Sequence, residues 1–355
     1  MQKKETNPFI LTFGKEPVEY ISRMSINDEI LQIFQQDNPN YQAVILTGVR
    51  GSGKTVLLNS IIETLENDSA NWICIRLNSS RDYLHSLAAK LYAVNTLQKE
   101  LKIHFNASIL GFGVSVEKDN RTDVSDIETI TEHLLKIAAQ KRKRVCIAID
   151  EISNSEDLRI FAKSFQMFAG EKLPIFLLMT GLYENIYEIE KDKTITFIRR
   201  AMKVTLEPLN LQTVSASYKR IFSIDKQTSV KLAKLTKGYA FAYQALGYIF
   251  WQKRKIDDDF MDEYDRYLSE YVYDMMWKDL SEKDRTILSA VSECTEIASV
   301  KEIREQCHMD SKPFSFYRDR LIKKGLLSSP KQGYLTFALP RFKEFIKERE
   351  LFESL

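Results

Sequence analysis

Residues 48–55 have the types and spacing that suit phosphate binding. They read Gly-Val-Arg-Gly-Ser-Gly-Lys-Thr and match the pattern G-x-x-x-x-G-K-[ST] without a mismatch. In such a loop, successive backbone N–H groups point at phosphate oxygens, Lys54 reaches the β- and γ-phosphates, and Thr55 ligates Mg²⁺. The pattern therefore predicts a site for ATP or ADP with Mg²⁺. The cradle is expected to consist of Gly48, Gly51, Ser52 and Gly53.

The flanking residues favour this interpretation over a glycine-rich turn that happens to precede Lys-Thr. Residues 43–47 are apolar and predict a short buried strand that leads into the loop. Residues 56–66 predict a helix that leads out of it, whose N-terminus would add partial positive charge at the phosphates. A strand, a loop and a helix in this order form the context that the motif requires.

A second group of candidate residues follows another apolar strand. Residues 145–149 read Val-Cys-Ile-Ala-Ile and end at Asp150 and Glu151. Since open α/β sheets bind ligands at the carboxyl ends of their strands, we expect Asp150 to hold Mg²⁺ through water. Glu151 would orient and deprotonate the attacking water. An apolar run before Asp-Glu is also common in ordinary buried strands, but the matched phosphate loop favours the chemical role.

Three further residues are candidates with open alternatives. Thr180 ends the predicted strand 174–179. Its hydroxyl would lie near the γ-phosphate or the attacking water, or it would simply cap the strand. Arg199 and Arg200 precede a predicted strand at 203–206. One of them would reach the γ-phosphate of a neighbouring subunit, as arginine fingers do, or both would be ordinary surface cations.

The alternation of strands and helices as far as residue 207 predicts an α/β fold with a P-loop parallel sheet. Residues 108–116 alternate large apolar and small side chains, which predicts an inserted strand or hairpin. From residue 208 to 278 only helical patterns occur. We predict three domains: an N-terminal segment with the nucleotide-binding α/β core (1–207), a helical lid (208–278) and a winged helix-turn-helix domain (279–355).

The last domain rests on three short predicted helices followed by a hairpin at residues 326–337. Its third helix would enter the major groove of duplex DNA. Winged helices also serve as protein-contact modules, and the sequence leaves that alternative open. The basic residues that favour DNA are Lys312, Arg318, Arg320, Lys323 and Lys324.

Composition limits the classes of function. The 355 residues carry a formal net charge of +2, so any nucleic-acid binding must depend on a local patch. The four cysteines are scattered without a C-x-x-C pair, which predicts neither a disulfide framework nor a zinc site. Neither an apolar leader nor a run of 18 apolar residues occurs. We expect a cytoplasmic protein that does not contact the membrane.

Together these motifs resemble the AAA+ ATPases, and within them the initiator-type (origin-recognition-like) clade and the STAND ATPases. The resemblance implies the strand order 5-1-4-3-2, with an extra strand between those that carry the two nucleotide motifs. It also implies roles: residues 51–55 bind phosphate and Mg²⁺, Asp150 binds Mg²⁺, and Glu151 is the catalytic carboxylate. Thr180 is similar to sensor 1, and Arg199 or Arg200 to the arginine supplied in trans.

One stretch departs from the initiator pattern. Initiator-type lids carry an arginine shortly after a glycine, whereas Gly238-Tyr239-Ala240-Phe241 has phenylalanine near that position. The stretch is closer to the Gly-x-Pro motif of STAND proteins, but Ala240 replaces the proline. The main hypothesis is an ATPase with slow, regulatory hydrolysis. It would bind duplex DNA through its winged helix in a nucleotide-dependent way and assemble into ATP-dependent homo-oligomers. The alternative is a STAND-like signalling or defence ATPase whose winged helix contacts protein.

Overall fold

The computed structural model describes residues 6–12, 17–79, 81–101, 104–105, 123–124, 126–193, 195–294 and 297–353. The insertion predicted at residues 108–116 lies outside these ranges. The chain forms two compact units. The sheet unit consists of residues 23–47 and 54–205, and the helical unit consists of residues 1–22, 48–53 and 206–355.

The sheet unit is built on five parallel strands with apolar sequences. These are β1 (Ala43–Thr47), β2 (Trp72–Leu77), β5 (Arg144–Ile149), β6 (Ile175–Gly181) and β7 (Met202–Thr205). Their order in the sheet is β2-β5-β6-β1-β7. When these five strands are numbered 1 to 5 in chain order and the sheet is read from β7, this is the predicted order 5-1-4-3-2. A separate parallel pair joins β3 (His104–Phe105) to β4 (Asp123–Val124).

The register of the sheet positions the candidate residues. Val145 pairs with Ile175 and Ile149 pairs with Met179, so β5 and β6 end side by side. Asp150 therefore follows β5 next to Thr180, the sixth residue of β6. Because the strands are parallel, this edge is the carboxyl edge of the sheet.

Helices cover the sheet because their apolar residues recur at helical spacing and are buried. Asp126 and Ser155 cap two of these helices with their side chains. The helices of the sheet unit are α1 (Met24–Gln35), α2 (Lys54–Asn67), α3 (Tyr83–Tyr92), α4 (Asn95–Gln98), α5 (Ile127–Gln140), α6 (Glu156–Gly170) and α7 (Tyr183–Lys191). A short 3₁₀ helix, Phe197–Arg200, precedes β7.

The helical unit begins with the residues predicted as a lid. Its helices are α8 (Leu211–Phe222), α9 (Lys226–Thr236), α10 (Ala240–Lys253), α11 (Asp258–Leu268) and α12 (Asp274–Lys278). The turn Ser269–Tyr273 between α11 and α12 is π-helical. Tyr239, Phe241, Tyr243 and Phe250 are buried in the core of this unit, and Tyr248 and Trp251 pack against it.

The described residues of the N-terminal segment before Arg23 group with the helical unit. Phe9 is 1% exposed and stacks on Phe222 at 5.5 Å between ring centroids. It lies against Gly247, where an added Cβ would come within 2.4 Å of the Phe9 ring. The physical reason is that the lid core leaves a hollow which an aromatic ring from outside the lid fills.

The C-terminal elements follow the winged helix-turn-helix order. They are α13 (Glu282–Glu293), β8 (Ala298–Ser299), α14 (Val300–Gln306), α15 (Ser311–Lys323), β9 (Leu327–Ser328), β10 (Tyr334–Phe337) and α16 (Phe342–Glu353). The hairpin and the three helices were predicted from sequence. The sequence analysis missed β8, which pairs with β10, and the terminal helix α16. Across the described part of the chain, no helix is long and apolar enough to cross a membrane.

Candidate active site

The hydroxyl of Thr55 and the carboxylate of Asp150 lie together at the carboxyl edge of the sheet. Thr55 Oγ1 donates to Asp150 Oδ2 at 2.9 Å and lies 3.2 Å from Oδ1. Thr55 is the second residue of α2, and Asp150 directly follows β5. A hydroxyl and a carboxylate are oxygen donors of the kind that Mg²⁺ prefers. The two residues that the sequence assigned to Mg²⁺ are therefore adjacent, and their chemistry fits the ion.

The hydroxyl of Thr180 joins the two acidic residues. Thr180 Oγ1 donates to Asp150 Oδ1 at 2.5 Å and accepts a hydrogen bond from the Glu151 N–H at 2.9 Å. The side chain is fully buried. Its proton and one lone pair are used in bonds to Asp150 and Glu151. A position of this hydroxyl near a γ-phosphate or an attacking water stays a prediction.

Glu151 occupies a turn with unusual backbone geometry. Its φ is +56°, a left-handed conformation that a residue with a Cβ rarely adopts. Hydrogen bonds from the N–H groups of Glu151 and Ile152 to the Oγ1 and carbonyl oxygen of Thr180 hold this turn. The Glu151 side chain is exposed, whereas Asp150 is partly buried. Strained residues of this kind cluster at functional sites.

The phosphate loop itself, described within the helical unit, contacts the start of α10. Tyr239 donates a hydrogen bond from its hydroxyl to the carbonyl oxygen of Arg50 at 2.6 Å. The N–H of Phe241 donates to the carbonyl oxygen of Gly51 at 3.0 Å. Gly51 has φ of +74°, and an added Cβ would lie 2.3 Å from the Tyr239 hydroxyl. Sequence reasoning missed Tyr239 as a site residue, although it noted the departure of this stretch from the family pattern.

The remaining loop residues occupy the turn that the motif requires. Gly48 and Gly53 have φ of +152° and +93°, and Ser52 donates its N–H to the Val49 carbonyl oxygen at 3.1 Å. Lys54 begins α2 and is 8% exposed. A lysine this buried needs a compensating charge or acceptor.

Arg199 and Arg200 lie on the surface of the sheet unit, at the end of the 3₁₀ helix that precedes β7. Both side chains are exposed. Arg199 donates from Nε to the carbonyl oxygen of Glu190 at 2.8 Å. Their exposure is compatible with a role towards a second subunit.

The five basic residues predicted to contact DNA are placed in two different ways. Lys312 and Lys323 are exposed on α15, and Arg318 is partly exposed and pairs with Asp319 at 2.7 Å. Arg320 donates from Nε to Asp284 Oδ1 at 3.1 Å, and Lys324 is 8% exposed with Nζ 3.9 Å from Asp284 Oδ2. Arg320 and Lys324 therefore compensate the charge of a buried carboxylate.

Two family models match parts of the chain. One, described as "Nephrocystin 3, N-terminal", matches residues 24–181 and thus the sheet unit from α1 to the end of β6. The other, described as "Domain of unknown function (DUF8462)", matches residues 270–346. A comparison with curated protein sequences finds no match.

Solved structures extend the likeness to nearly the whole chain. The Walker-type ATPase paby2304 of Pyrococcus abyssi is 16% identical with a TM-score of 0.63, covering 92% of this chain and 95% of the other. The ORC2 protein of Aeropyrum pernix, solved in ADPNP and ADP complexes, is 12% identical with a TM-score of 0.60, covering 96% and 98%. At these identities the likeness establishes the fold. The chain has the P-loop AAA+ fold of origin-recognition-like and Walker-type ATPases, which confirms the predicted resemblance at the level of the fold.

Proposed function

We propose that this protein is an ATP-hydrolysing switch. One observation carries the proposal: the Thr55 hydroxyl, the Asp150 carboxylate, the Thr180 hydroxyl and the Glu151 backbone form one hydrogen-bonded chain at the carboxyl edge of the sheet. These residues come from three separate segments of the sequence. Two hydroxyls and a carboxylate at this edge, with Thr55 as the last residue of the matched phosphate-loop motif, suit Mg²⁺-dependent phosphoryl transfer to water.

Each group of residues has a separate role in the proposed hydrolysis of ATP. Backbone N–H groups of the loop and the Lys54 ammonium bind the phosphates and stabilise the charge that develops on them. Thr55 and Asp150 would hold Mg²⁺, which neutralises the β- and γ-phosphate oxygens when it is bound. Glu151, exposed next to Asp150, accepts the proton of the attacking water. Thr180 fixes Asp150 and the Glu151 turn relative to each other.

An exposed arginine from a second subunit completes such a site in related chemistry, and Arg199 and Arg200 have the required exposure. We therefore include an ATP-dependent homo-oligomer in the proposal. An isolated subunit would then turn over slowly. Turnover that rises with protein concentration and falls in an Arg199→Ala/Arg200→Ala variant would support this assembly; concentration-independent turnover would contradict it.

Lys54→Ala tests the nucleotide site. Removal of the ammonium should weaken MgATP binding on the order of 100-fold, as expected for the loss of hydrogen bonds from a charged group. Isothermal titration calorimetry measures the affinity. The control is Lys136→Ala, which removes an exposed lysine that pairs with Glu132 on α5. Unchanged affinity in Lys54→Ala would contradict the site assignment.

For the partner of the C-terminal region, we propose duplex DNA. The exposed Lys312 and Lys323 at the two ends of α15, with Arg318 between them, support this choice. Since phosphate contacts release counterions, log affinity should fall with log salt by about 0.9 per neutralised phosphate. Fluorescence anisotropy of labelled duplex DNA across a salt series, with ATP, with ADP and without nucleotide, measures both the slope and its dependence on nucleotide.

A specific observation favours the protein-binding alternative. The outer face of α15 also carries Phe316, which is 52% exposed, and the acidic Asp319. A large exposed aromatic residue is more typical of protein interfaces, where Phe and Tyr are enriched. If no DNA binding occurs in any nucleotide state at low salt, the DNA proposal fails and the signalling alternative takes its place. A Phe316→Ala variant should then leave ATP binding intact, so it tests a protein contact at this face separately from the nucleotide site.

A further inference from the structure

The start of α10 holds two successive carbonyl groups of the phosphate loop. Tyr239 binds the Arg50 carbonyl oxygen through its hydroxyl, and Phe241 binds the Gly51 carbonyl oxygen through its N–H. Tyr239 is 4% exposed, so its hydrogen bond does not compete with solvent. Both bonds act on the backbone of the loop. The lid stretch that lacks an arginine therefore contacts the phosphate loop by another chemical route.

This contact fixes the direction of a phosphate-binding group. The described peptide bonds are trans, and in a trans peptide the C=O and the following N–H point to opposite sides. A hydrogen bond that holds the Arg50 carbonyl against Tyr239 therefore directs the Gly51 N–H away from the lid. In a phosphate loop, backbone N–H groups such as this one bind phosphate oxygens.

Tyr239 is itself held in place by the residues before it. Gly238, with φ of +76°, donates its N–H to Thr236 Oγ1 at 3.0 Å and accepts from the Leu209 N–H at 2.7 Å. An added Cβ at Gly238 would lie 2.4 Å from the Leu209 carbonyl oxygen. Because Gly238 has no side chain, the backbone can approach Leu209 closely at this point. The two hydrogen bonds of Gly238 then fix the orientation in which Tyr239 contacts the loop.

The Tyr239 ring also contacts Tyr273, which in turn contacts residues of the C-terminal region. Tyr239 and Tyr273 are stacked, with ring centroids 6.5 Å apart and an interplanar angle of 18°. The Tyr273 hydroxyl donates to the Pro340 carbonyl oxygen at 2.6 Å, and its ring meets Phe342 and Phe345 edge-on at 4.9 and 5.6 Å. Tyr273 ends the π-helical turn, a local geometry that frequently marks functional positions. The contacts are continuous from Arg50 to the start of α16.

We propose that Tyr239 is a positioning residue that holds the phosphate loop in its phosphate-binding conformation, and that Tyr239 and Tyr273 together transmit the nucleotide state of the loop to the winged helix. This inference rests on the proposed nucleotide site. Burial raises the pKa of both tyrosines well above the usual value, so both hydroxyls stay protonated as donors at neutral pH. The loop and the winged helix are thereby linked through two rigid side chains.

Tyr239→Phe tests the first half of the inference because it removes only the hydroxyl. We expect MgATP affinity to fall about fivefold, the effect of one lost net hydrogen bond, while the protein remains folded. Tyr264→Phe is the matched control. Tyr264 is equally buried in the lid, but its hydroxyl donates to the Leu235 carbonyl oxygen at 3.1 Å and not to the loop. Calorimetric titration with MgATP and MgADP compares the three proteins.

Tyr273→Leu tests the second half because it removes the stacked ring and leaves the Tyr239–Arg50 bond in place. Amide hydrogen exchange of residues 279–353 is measured with ATP, with ADP and without nucleotide. In the wild type, we expect exchange in this segment to differ between nucleotide states. In Tyr273→Leu, we expect ATP affinity within about twofold of the wild type and no nucleotide-dependent difference in the segment. A merely structural role for Tyr273 would change the basal exchange but not its response to nucleotide.

The outcomes separate this inference from the proposed function. A wild-type protein that does not bind ATP overturns both. A wild-type protein that binds ATP, together with Tyr239→Phe affinity equal to that of Tyr264→Phe, overturns the positioning role alone. An equal nucleotide response of the winged helix in the wild type and in Tyr273→Leu, or its absence from the wild type, overturns the transmission.

Discussion

The clusters around Asp150 and Asp284 contain similar chemical groups in different arrangements. Asp150, partly buried at the end of β5, accepts hydrogen bonds from the hydroxyls of Thr55 and Thr180. Asp284 is 1% exposed within α13 and accepts from the hydroxyl of Ser281 and the guanidinium of Arg320. Hydroxyls leave the carboxylate charge available to a cation from solution, whereas a guanidinium compensates it inside the protein.

The number of basic residues in a helix does not by itself indicate how many of them face a binding partner. Lys324 and Arg320 look in the sequence like part of a basic DNA-binding helix, but their positive charges serve Asp284. Ser281 is part of the same cluster, because it forms a capping box with Asp284 at the start of α13. A basic side chain contributes to a binding face only when its charge is not already compensated by a buried carboxylate.

A large effect on turnover is expected at Glu151, the neighbour of Asp150. Glu151→Gln removes the base and keeps the shape, so ATP turnover should fall about 1,000-fold while MgATP affinity stays unchanged. A phosphate-release assay and calorimetry measure the two quantities. The control is Glu156→Gln, an exposed glutamate in the first turn of α6 that pairs with Arg159. Turnover close to the wild-type rate would remove Glu151 from the mechanism.

The same substitution in the two clusters tests the comparison directly. Asp284→Asn leaves the Arg320 and Lys324 charges without their buried partner and should lower the free energy of unfolding by about 3 kcal/mol. Asp150→Asn should change it by less than about 1 kcal/mol but abolish Mg²⁺-dependent turnover. Urea denaturation and the turnover assay measure both variants. If the two variants lost similar stability, the distinction between the clusters would be wrong.

A smaller effect is expected at Thr180. Thr180→Val keeps the volume but removes the hydroxyl that joins Asp150 to the Glu151 turn, so turnover should fall roughly tenfold with little change in ATP affinity. Thr131→Val is the control, because the buried Thr131 hydroxyl donates to the Ile127 carbonyl oxygen within α5. A Thr180→Val enzyme with normal turnover would reduce Thr180 to a strand-end cap.

The smallest effect concerns the basic residues of α15. If the winged helix binds DNA, Lys312→Ala and Lys323→Ala should each reduce the salt slope of binding by about 1. Lys324→Ala should leave the slope unchanged and lower stability instead, since Lys324 is buried beside Asp284. A reduced slope in Lys324→Ala would place this lysine on the DNA face after all.

Much of the sheet unit was predictable because its signals are local. Apolar strands, the phosphate loop and the Asp150-Glu151 pair are short sequence patterns, and the strand order follows from the resemblance that they define. The helix α16 carried a usable signal as well. Phe342, Phe345 and Ile346 are buried at helical spacing, which a search for amphipathic periodicity would have found.

The remaining features depend on contacts between residues far apart in the sequence. Tyr239 lies 189 positions from Arg50, and nothing in either local pattern indicates that its hydroxyl binds the loop. Arg320 likewise looks like any exposed cation until Asp284 is placed beside it. Sequence patterns identify which residues have suitable side chains for binding or catalysis. Which residues those side chains contact depends on how distant parts of the chain pack together.

The insertion of Phe9 into the lid bears on how the chain is synthesised. Phe9 leaves the ribosome before the residues that surround it, because the hollow beside Gly247 exists only after about 240 further residues have been made. At about 5–20 residues per second, this delay lasts on the order of ten seconds or more. During that time Phe9 has no lid core to pack against. Packing of this residue beside Gly247 can therefore occur only after α10 has been synthesised.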